Sequence, residues 1–375
     1  MENVALLTSN ITTTIDDGRA FLRRTEKKYD LVVYGLPDST GLVSSRANMR
    51  VESYLFTVEA FRAVLAHLTP TGVFVVYNNY REFWLVDKIA GMLQEAAGQP
   101  PLVAADRNAT ATMMVGPGLA AIQRRAPIAI PSTVPPSATD DWPFLYLKGP
   151  HLPELYRRSL AVIALFSVVL VAGFAWFAGR RDARAAKPAH VFRVDGPMFF
   201  MGAAFMLLET KSIVTFGLLF GTTWLTTALA IGAILFLVLV AIAINARFVV
   251  GSVVPWIALL AASLALVYVL PPERFLLDNP VVRYVVGALA ALSPAMFANV
   301  IFAKLLGEAK ETPRSLASNL IGAVMGGIAE YASLVMGYRA LVPMVAAFYA
   351  LAFLLLLRRT SGAAAPVAAT ESATE

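Results

Sequence analysis

The chain has 375 residues, 58% hydrophobic and only 15% charged, with a formal net charge of +6. That balance is too apolar for two water-soluble domains and fits a polytopic membrane protein with a modest soluble part. The complete absence of Cys excludes disulfides, thiolate metal sites and Cys nucleophiles. His67, His151 and His190 are the only histidines and lie far apart, which argues against a His-based metal site. The excess of Lys and Arg suits the flanks of membrane spans. No basic-aromatic cluster points to nucleic acid. Residues 1–30 carry no uninterrupted apolar core of signal-peptide length.

The composition breaks near Arg158. Before it, apolar runs are short and punctuated; after it, runs of bilayer length follow one another. In the first part, Ile11–Ile15 reads as a strand ending in Asp16-Asp17-Gly18, and Gly18–Arg24 as a short helix. Tyr29–Tyr34 is a buried strand, and residues 35–51 form a long loop. Ser53–Leu68 has helical periodicity, with Leu55, Val58, Phe61, Leu65 and Leu68 on one face. Pro70-Thr71-Gly72 reads as a turn before a second buried strand, Gly72–Tyr77. Phe83–Ala96 is the next helix, and Leu102–Ala105 and Thr110–Val115 pair as terminal strands. This alternation predicts a mainly parallel sheet covered on both faces. Ligands of such sheets sit beyond the carboxyl ends of the strands. Here those ends are Asp16-Asp17-Gly18, Gly35–Gly41 and Tyr77–Arg81.

At these ends a resemblance emerges. The stretch IDDGRAFLRRTEKKYDLVVYGLPDSTG, with the later LTPTGVFVVYNNYRE, resembles the second half of a spermidine-synthase-like domain. TDDWPFLYL (Thr139–Leu147) and FFMGAAFMLLETKSIVTFGLLFGTTW (Phe199–Trp224) resemble bacterial membrane proteins that carry this domain fused to transmembrane helices. The resemblance implies a class I S-adenosylmethionine-dependent methyltransferase-type fold. It implies aminopropyl transfer from decarboxylated S-adenosylmethionine, as co-substrate, to a polyamine, with no covalently bound cofactor. It places Asp17 and Gly18 at the adenine side of the nucleoside and Asp38 on the amine substrate. Tyr77, Asn78 and Tyr80 lie where that substrate would sit. Simpler roles compete at each position: a helix N-cap for Asp17, a turn for Asp38, loop closure for Tyr77–Arg81.

Three departures weaken the enzymatic reading. Gly35 stands where the family has an Asp that helps deprotonate the attacking amine, so the catalytic base is unknown. The family's Tyr-Pro-containing substrate loop falls near Asp106–Asn108, where this chain has no Tyr. The first strand, glycine-rich turn and ribose-binding acid of the fold are missing. The chain is therefore expected to be a C-terminal portion, and another polypeptide supplying the missing half is one route to a complete site.

Residues 119–157 read as a Pro/Ala-rich linker and interfacial segment. Trp142, Phe144 and Tyr146 suit a membrane interface or docking onto the soluble domain. Seven spans follow by length and hydropathy: 159–179, 198–220, 224–245, 250–270, 284–306, 316–336 and 340–357. Residues 359–375 read as a disordered tail. Glu209, Lys211 and Glu330 are intramembrane charges that need partners on other helices or water. Asn319, Gly322, Gly326 and Glu330 form one polar, small-residue stripe. Gly322/Gly326 and Gly217/Gly221 are GxxxG patterns that permit close helix contact. A Lys211–Glu330 pair is the expected arrangement, as buried polar glue or as part of a substrate or proton path.

The fold class is thus a partial Rossmann-like, methyltransferase-type α/β domain (residues 1–118) followed by an all-α polytopic bundle (158–358) of about seven helices. Positive residues favour the soluble part outside the cytoplasm, whereas a nucleoside-using enzyme belongs inside. The alternative function is a membrane transporter or scaffold with a degenerate nucleoside-binding regulatory domain.

Overall fold

The computed structural model describes residues 11–35, 52–122, 133–184, 194–248, 251–270, 272–275 and 280–363. The described residues divide into two compact units. The first holds the α/β module together with a helical hairpin around residue 222. Asp17 caps α1 (Gly18–Arg24) by accepting from the Ala20 amide. β1 (Tyr29–Gly35) follows. Thr57 caps α2 (Val58–Ala66) in the same way, ahead of β2 (Leu68–Asn79). α3 (Phe83–Ala97) stops at Gly98, whose φ of 71° is a left-handed cap. β3 (Leu102–Ala105) and β4 (Thr110–Val115) close the module.

The sheet is mixed rather than mainly parallel. Its order is β1-β2-β4-β3; β1 and β2 are parallel, and β4 pairs antiparallel with both β2 and β3. A turn this short permits only antiparallel pairing. The Asp106 carboxylate fixes it by accepting from the Asn108 and Thr110 amides.

Among the described residues, the two crossover helices cover one face. The β1–α2–β2 and β2–α3–β3 crossovers step across the sheet in the same direction, and right-handed crossovers then place both helices on one side. On that side Tyr34, Phe74, Val76 and Met113 bury against Phe61, Val64, Ile89 and Leu93. On the other, Leu31 is 58% and Val33 46% exposed. Ile11–Ile15 is not a strand: Ile15 is fully exposed and the segment pairs with no strand among the described residues. Pro70-Thr71-Gly72 is a bulge inside β2 rather than a turn before it. The register passes from Tyr29↔Leu68 to Leu31↔Val73, and a Cβ on Gly72 would lie 2.8 Å from the Tyr29 carbonyl oxygen.

The segment carrying Thr139–Leu147 packs on the module, which decides between the two readings of its aromatics. Trp142, Phe144 and Leu145 are buried. Arg19 donates to both carboxylate oxygens of Asp140, at 2.7 Å for the Nη1–Oδ1 bond, and to the Tyr54 carbonyl. Thr57 Oγ1 donates to the same carboxylate.

The remaining helices are α4 (Glu154–Arg184), α5 (Gly196–Phe220), α6 (Trp224–Arg247), α7 (Val254–Val269), α8 (Pro280–Gly307), α9 (Thr312–Ala329) and α10 (Leu341–Ala363). Among the described residues, six stretches are long and apolar enough to cross a membrane. α7, expected over 250–270, is apolar but only 16 residues long. The stretch running on from α9 changes to a 3-10 turn at Glu330–Ala332 before a last α-turn at Ser333–Met336.

Within the second unit, α5 and α9 meet backbone to backbone. A Cβ on Gly322 would lie 1.8 Å from the Phe199 carbonyl oxygen, and one on Gly326 2.4 Å from that of Ala203. Gly202 faces the Asn319 carbonyl in the same way. The Gly322/Gly326 pattern therefore does what its spacing predicts. Gly217/Gly221 does not: Gly221 ends α5 with φ of 95° and packs on Asp17 and Ala20. At one end of this contact, Asp195 accepts from Ser315 Oγ and pairs with Arg359, while Ser318 Oγ accepts from its amide.

Gly322→Val should cost about 3 kcal/mol, the upper end of overpacking penalties. Its unfolding midpoint in detergent should fall well below that of Gly327→Val, because nothing approaches the Gly327 position.

Candidate functional site

The candidate site lies at the carboxyl ends of β1 and β2, where Gly35 and Tyr77 are register partners. The sheet brings Gly35 and Tyr77 together there. A Cβ on Gly35 would lie 2.7 Å from the Tyr77 hydroxyl. The Tyr77 ring thus covers Gly35. Asn78 accepts from the next amide, that of Asn79. Tyr80 is turned into the core, and its hydroxyl finds no hydrogen-bond partner among the described residues. Arg81 follows at φ of 62°, a left-handed backbone that a non-glycine residue seldom adopts. Asp38 lies outside the described residues.

Asp17 is fully engaged within its own unit. Its Oδ1 accepts from Ala20 N at 2.8 Å, and its Oδ2 from Thr222 Oγ1 at 2.7 Å and Thr222 N at 3.2 Å. Arg23 adds a bond to the Leu218 carbonyl. Gly18 packs near Leu55. The Asp17-Gly18 corner therefore works as a helix cap and as a latch onto the hairpin between α5 and α6. Above Asp17 and Arg19, Tyr34 has a buried hydroxyl with no hydrogen-bond partner among the described residues. Burial raises its pKa above the ordinary tyrosine value; the Asp17 charge adds to this and the Arg19 charge opposes it.

The second unit places the intramembrane residues. Asn319 Nδ2 donates to the Met198 carbonyl across the α5–α9 contact. Glu330 is 4% exposed and sits at the 3-10 turn. Glu209 and Lys211 are half-buried on α5. Lys211 and Glu330 both have interaction partners.

Sequence reasoning missed the most unusual group, Lys88. It lies on α3 among apolar positions, and its side chain is fully buried. Its Nζ donates to the carbonyls of Leu147 at 2.7 Å and Phe144 at 3.2 Å and stands 4.8 Å from the Trp142 ring centroid. Burial lowers its pKa from 10.5 to about 8. A Lys between Asp87 and Ile89 on a helix with an apolar face was the available signal. Among the described residues no cluster of His, Asp and Glu forms a metal site.

No protein-family model matches this chain, and no solved structure matches it significantly.

Lys88 gives a pH dependence. Between about pH 8 and 10.5 the unfolded chain keeps a proton that the folded protein has released, so stability rises with pH across that window. The gain is on the order of 3 kcal/mol. Unfolding midpoints measured from pH 7 to 10 should increase, and Lys88→Met should flatten the slope.

Proposed function

We propose that the chain is an integral membrane protein of the spermidine-synthase-like group, seated in a bacterial inner membrane, whose α/β module no longer turns over in this form. The observation that carries this reading is the meeting of the motif residues. YDLVVYG and VFVVYNNY run as adjacent parallel strands with Gly35 opposite Tyr77, and Asp17 lies close enough to act on Tyr34. The family reaction is aminopropyl transfer to an amine, which needs a base at the end of the first of these strands and an open nucleoside corner. Gly35 supplies no base, Tyr77 lies over it, and both Asp17 oxygens already accept hydrogen bonds from the chain. Among the described residues, this corner therefore favours a module without turnover. A complementing half-domain from another chain would add at β1, whose only partner among the described residues is β2.

Seven crossings fit the contacts of the helical unit. Tyr156 near the start of α4 stacks on Tyr331 just beyond α9. Asp195 ahead of α5 meets Ser315 at the start of α9 and Arg359 near the end of α10. Tyr268 at the end of α7 lies beside Arg339, which precedes α10. Such contacts alternate ends only if α7 crosses with the rest.

Titration of the detergent-purified chain with S-adenosylmethionine, its decarboxylated form and methylthioadenosine should show no saturable micromolar binding, and putrescine should give no turnover. Asp17→Asn should lower the unfolding midpoint and leave the titrations unchanged. Micromolar binding, or putrescine-dependent product, overturns the reading.

One observation favours the transporter or scaffold alternative. Glu330 is buried where a spanning helix changes to a 3-10 turn, a feature often found at functional hinges. In that reading Glu209, Lys211 and Glu330 carry the function. Lys211→Glu and Glu330→Lys should each lose folded protein, and the double variant should recover it. Absence of recovery removes the Lys211–Glu330 pair.

A further inference from the structure

α7 and α10 pack side by side within one unit, yet they leave a groove of about 580 Å³ between them. It is in the size range of small-molecule sites, about 300–1,000 Å³. Its lining is apolar apart from two tyrosine hydroxyls. The groove exists because alanines stand where larger residues would close it: Ala261 and Ala265 on α7, Ala346 and Ala350 on α10. Leu260, Leu264 and Phe353 form the larger walls on either side of them. A groove of this kind at membrane depth holds hydrocarbon, because its walls offer water only two tyrosine hydroxyls and empty apolar space forfeits dispersion contacts.

One end of the groove is polar. Tyr268, the last lining residue of α7, has the Arg339 guanidinium 4.8 Å from its ring centroid. Arg339 is exposed and lies two residues before the start of α10. Tyrosine and arginine at the end of a short apolar helix mark the headgroup level. The site thus offers an apolar slot below and a fixed cation above.

We infer that this groove binds one acyl chain of an anionic glycerophospholipid, with the lipid phosphate on Arg339. The charge selects the lipid class; the alanines make room for the chain. α7 spans only about 24 Å as a helix, shorter than the hydrocarbon core of about 30 Å. A lipid seated beside it fills the region that the shorter helix leaves open. The inference rests on the groove and its Arg339 end facing lipid, and not on the fate of the α/β module.

The test is native mass spectrometry of the full chain extracted from vesicles of equal phosphatidylglycerol and phosphatidylcholine. Wild type should retain one phosphatidylglycerol in preference to phosphatidylcholine. Arg339→Gln should cut that preference about fivefold, the ratio for about 1 kcal/mol from one cation near the surface, and Arg339→Lys should keep it. Ala346→Leu should lose retention of both lipids while its unfolding midpoint stays near wild type. A second variant, Ala261→Leu, fills the slot from the other helix should the first fail to fold. Equal retention of the two lipids, no retained lipid, or an unchanged preference in Arg339→Gln overturns the inference. The crossing itself is tested apart from it. The chain has no native Cys. Single cysteines at Ser252 and Arg339 should therefore label from opposite faces, and labelling from the same face removes the crossing rather than the groove.

Discussion

Arg19 and Asp140 bury a guanidinium–carboxylate fork in which the two side chains are 6% and 10% exposed. A charge pair taken this far from water holds only if every remaining lone pair and N–H near it is also satisfied. The surroundings meet most of that demand. Thr57 Oγ1 bonds the Asp140 carboxylate and also caps α2, Arg19 reaches the Tyr54 carbonyl, and the Asp140 amide donates to Glu59. Burial, and then the nearby Asp140 charge, raise the Glu59 pKa. One interaction thus fixes the start of α1, the entry to α2 and the strap that leads to the helices. Leaving either partner alone would cost about 3–5 kcal/mol.

The same strap explains Lys88. Once Asp140 is held, Trp142 and Phe144 fold against α3, and the carbonyls of Phe144 and Leu147 come within reach of the Lys88 amine, the Phe144 carbonyl accepting from the Leu147 amide as well. A buried amine answers them with two hydrogen bonds and rests on the indole face. Neutral or charged, the amine can donate, so the contact survives its lowered pKa. Polar groups in this module serve to fasten a chain segment, and the candidate catalytic corner follows the same pattern. Asp17 closes a helix and a hairpin turn.

In the helical unit the corresponding constraint is backbone approach. Gly202, Gly322 and Gly326 let α5 and α9 touch through their carbonyls, where lipid offers no hydrophobic drive for association and packing must supply the attraction. Asp195 with Ser315, Ser318 and Arg359 finishes one end of this contact. The polar stripe from Asn319 onward is therefore mainly a packing seam. Glu330, at its far end, lies beyond the regular helix.

What the sequence determined by itself was local and periodic. Hydropathy and length placed the membrane helices, with only α7 shorter than its apolar run. Cap residues and apolar periodicity placed α1, α2 and α3, and the GxxxG spacing at Gly322 identified a real contact. What only the tertiary structure decided was pairing. The antiparallel insertion of β4, the open Leu31–Val33 face and the bulge at Gly72 depend on which strands meet, and strand composition does not encode partner order. Ile11–Ile15 has strand-like composition and stays unpaired for the same reason. Asp17 reads as a helix cap or a ligand residue, because a carboxylate at a strand end suits an amide or an amine. Its donors in the chain, Ala20 and Thr222, include one 205 residues away, and only the folded chain brings that one to it.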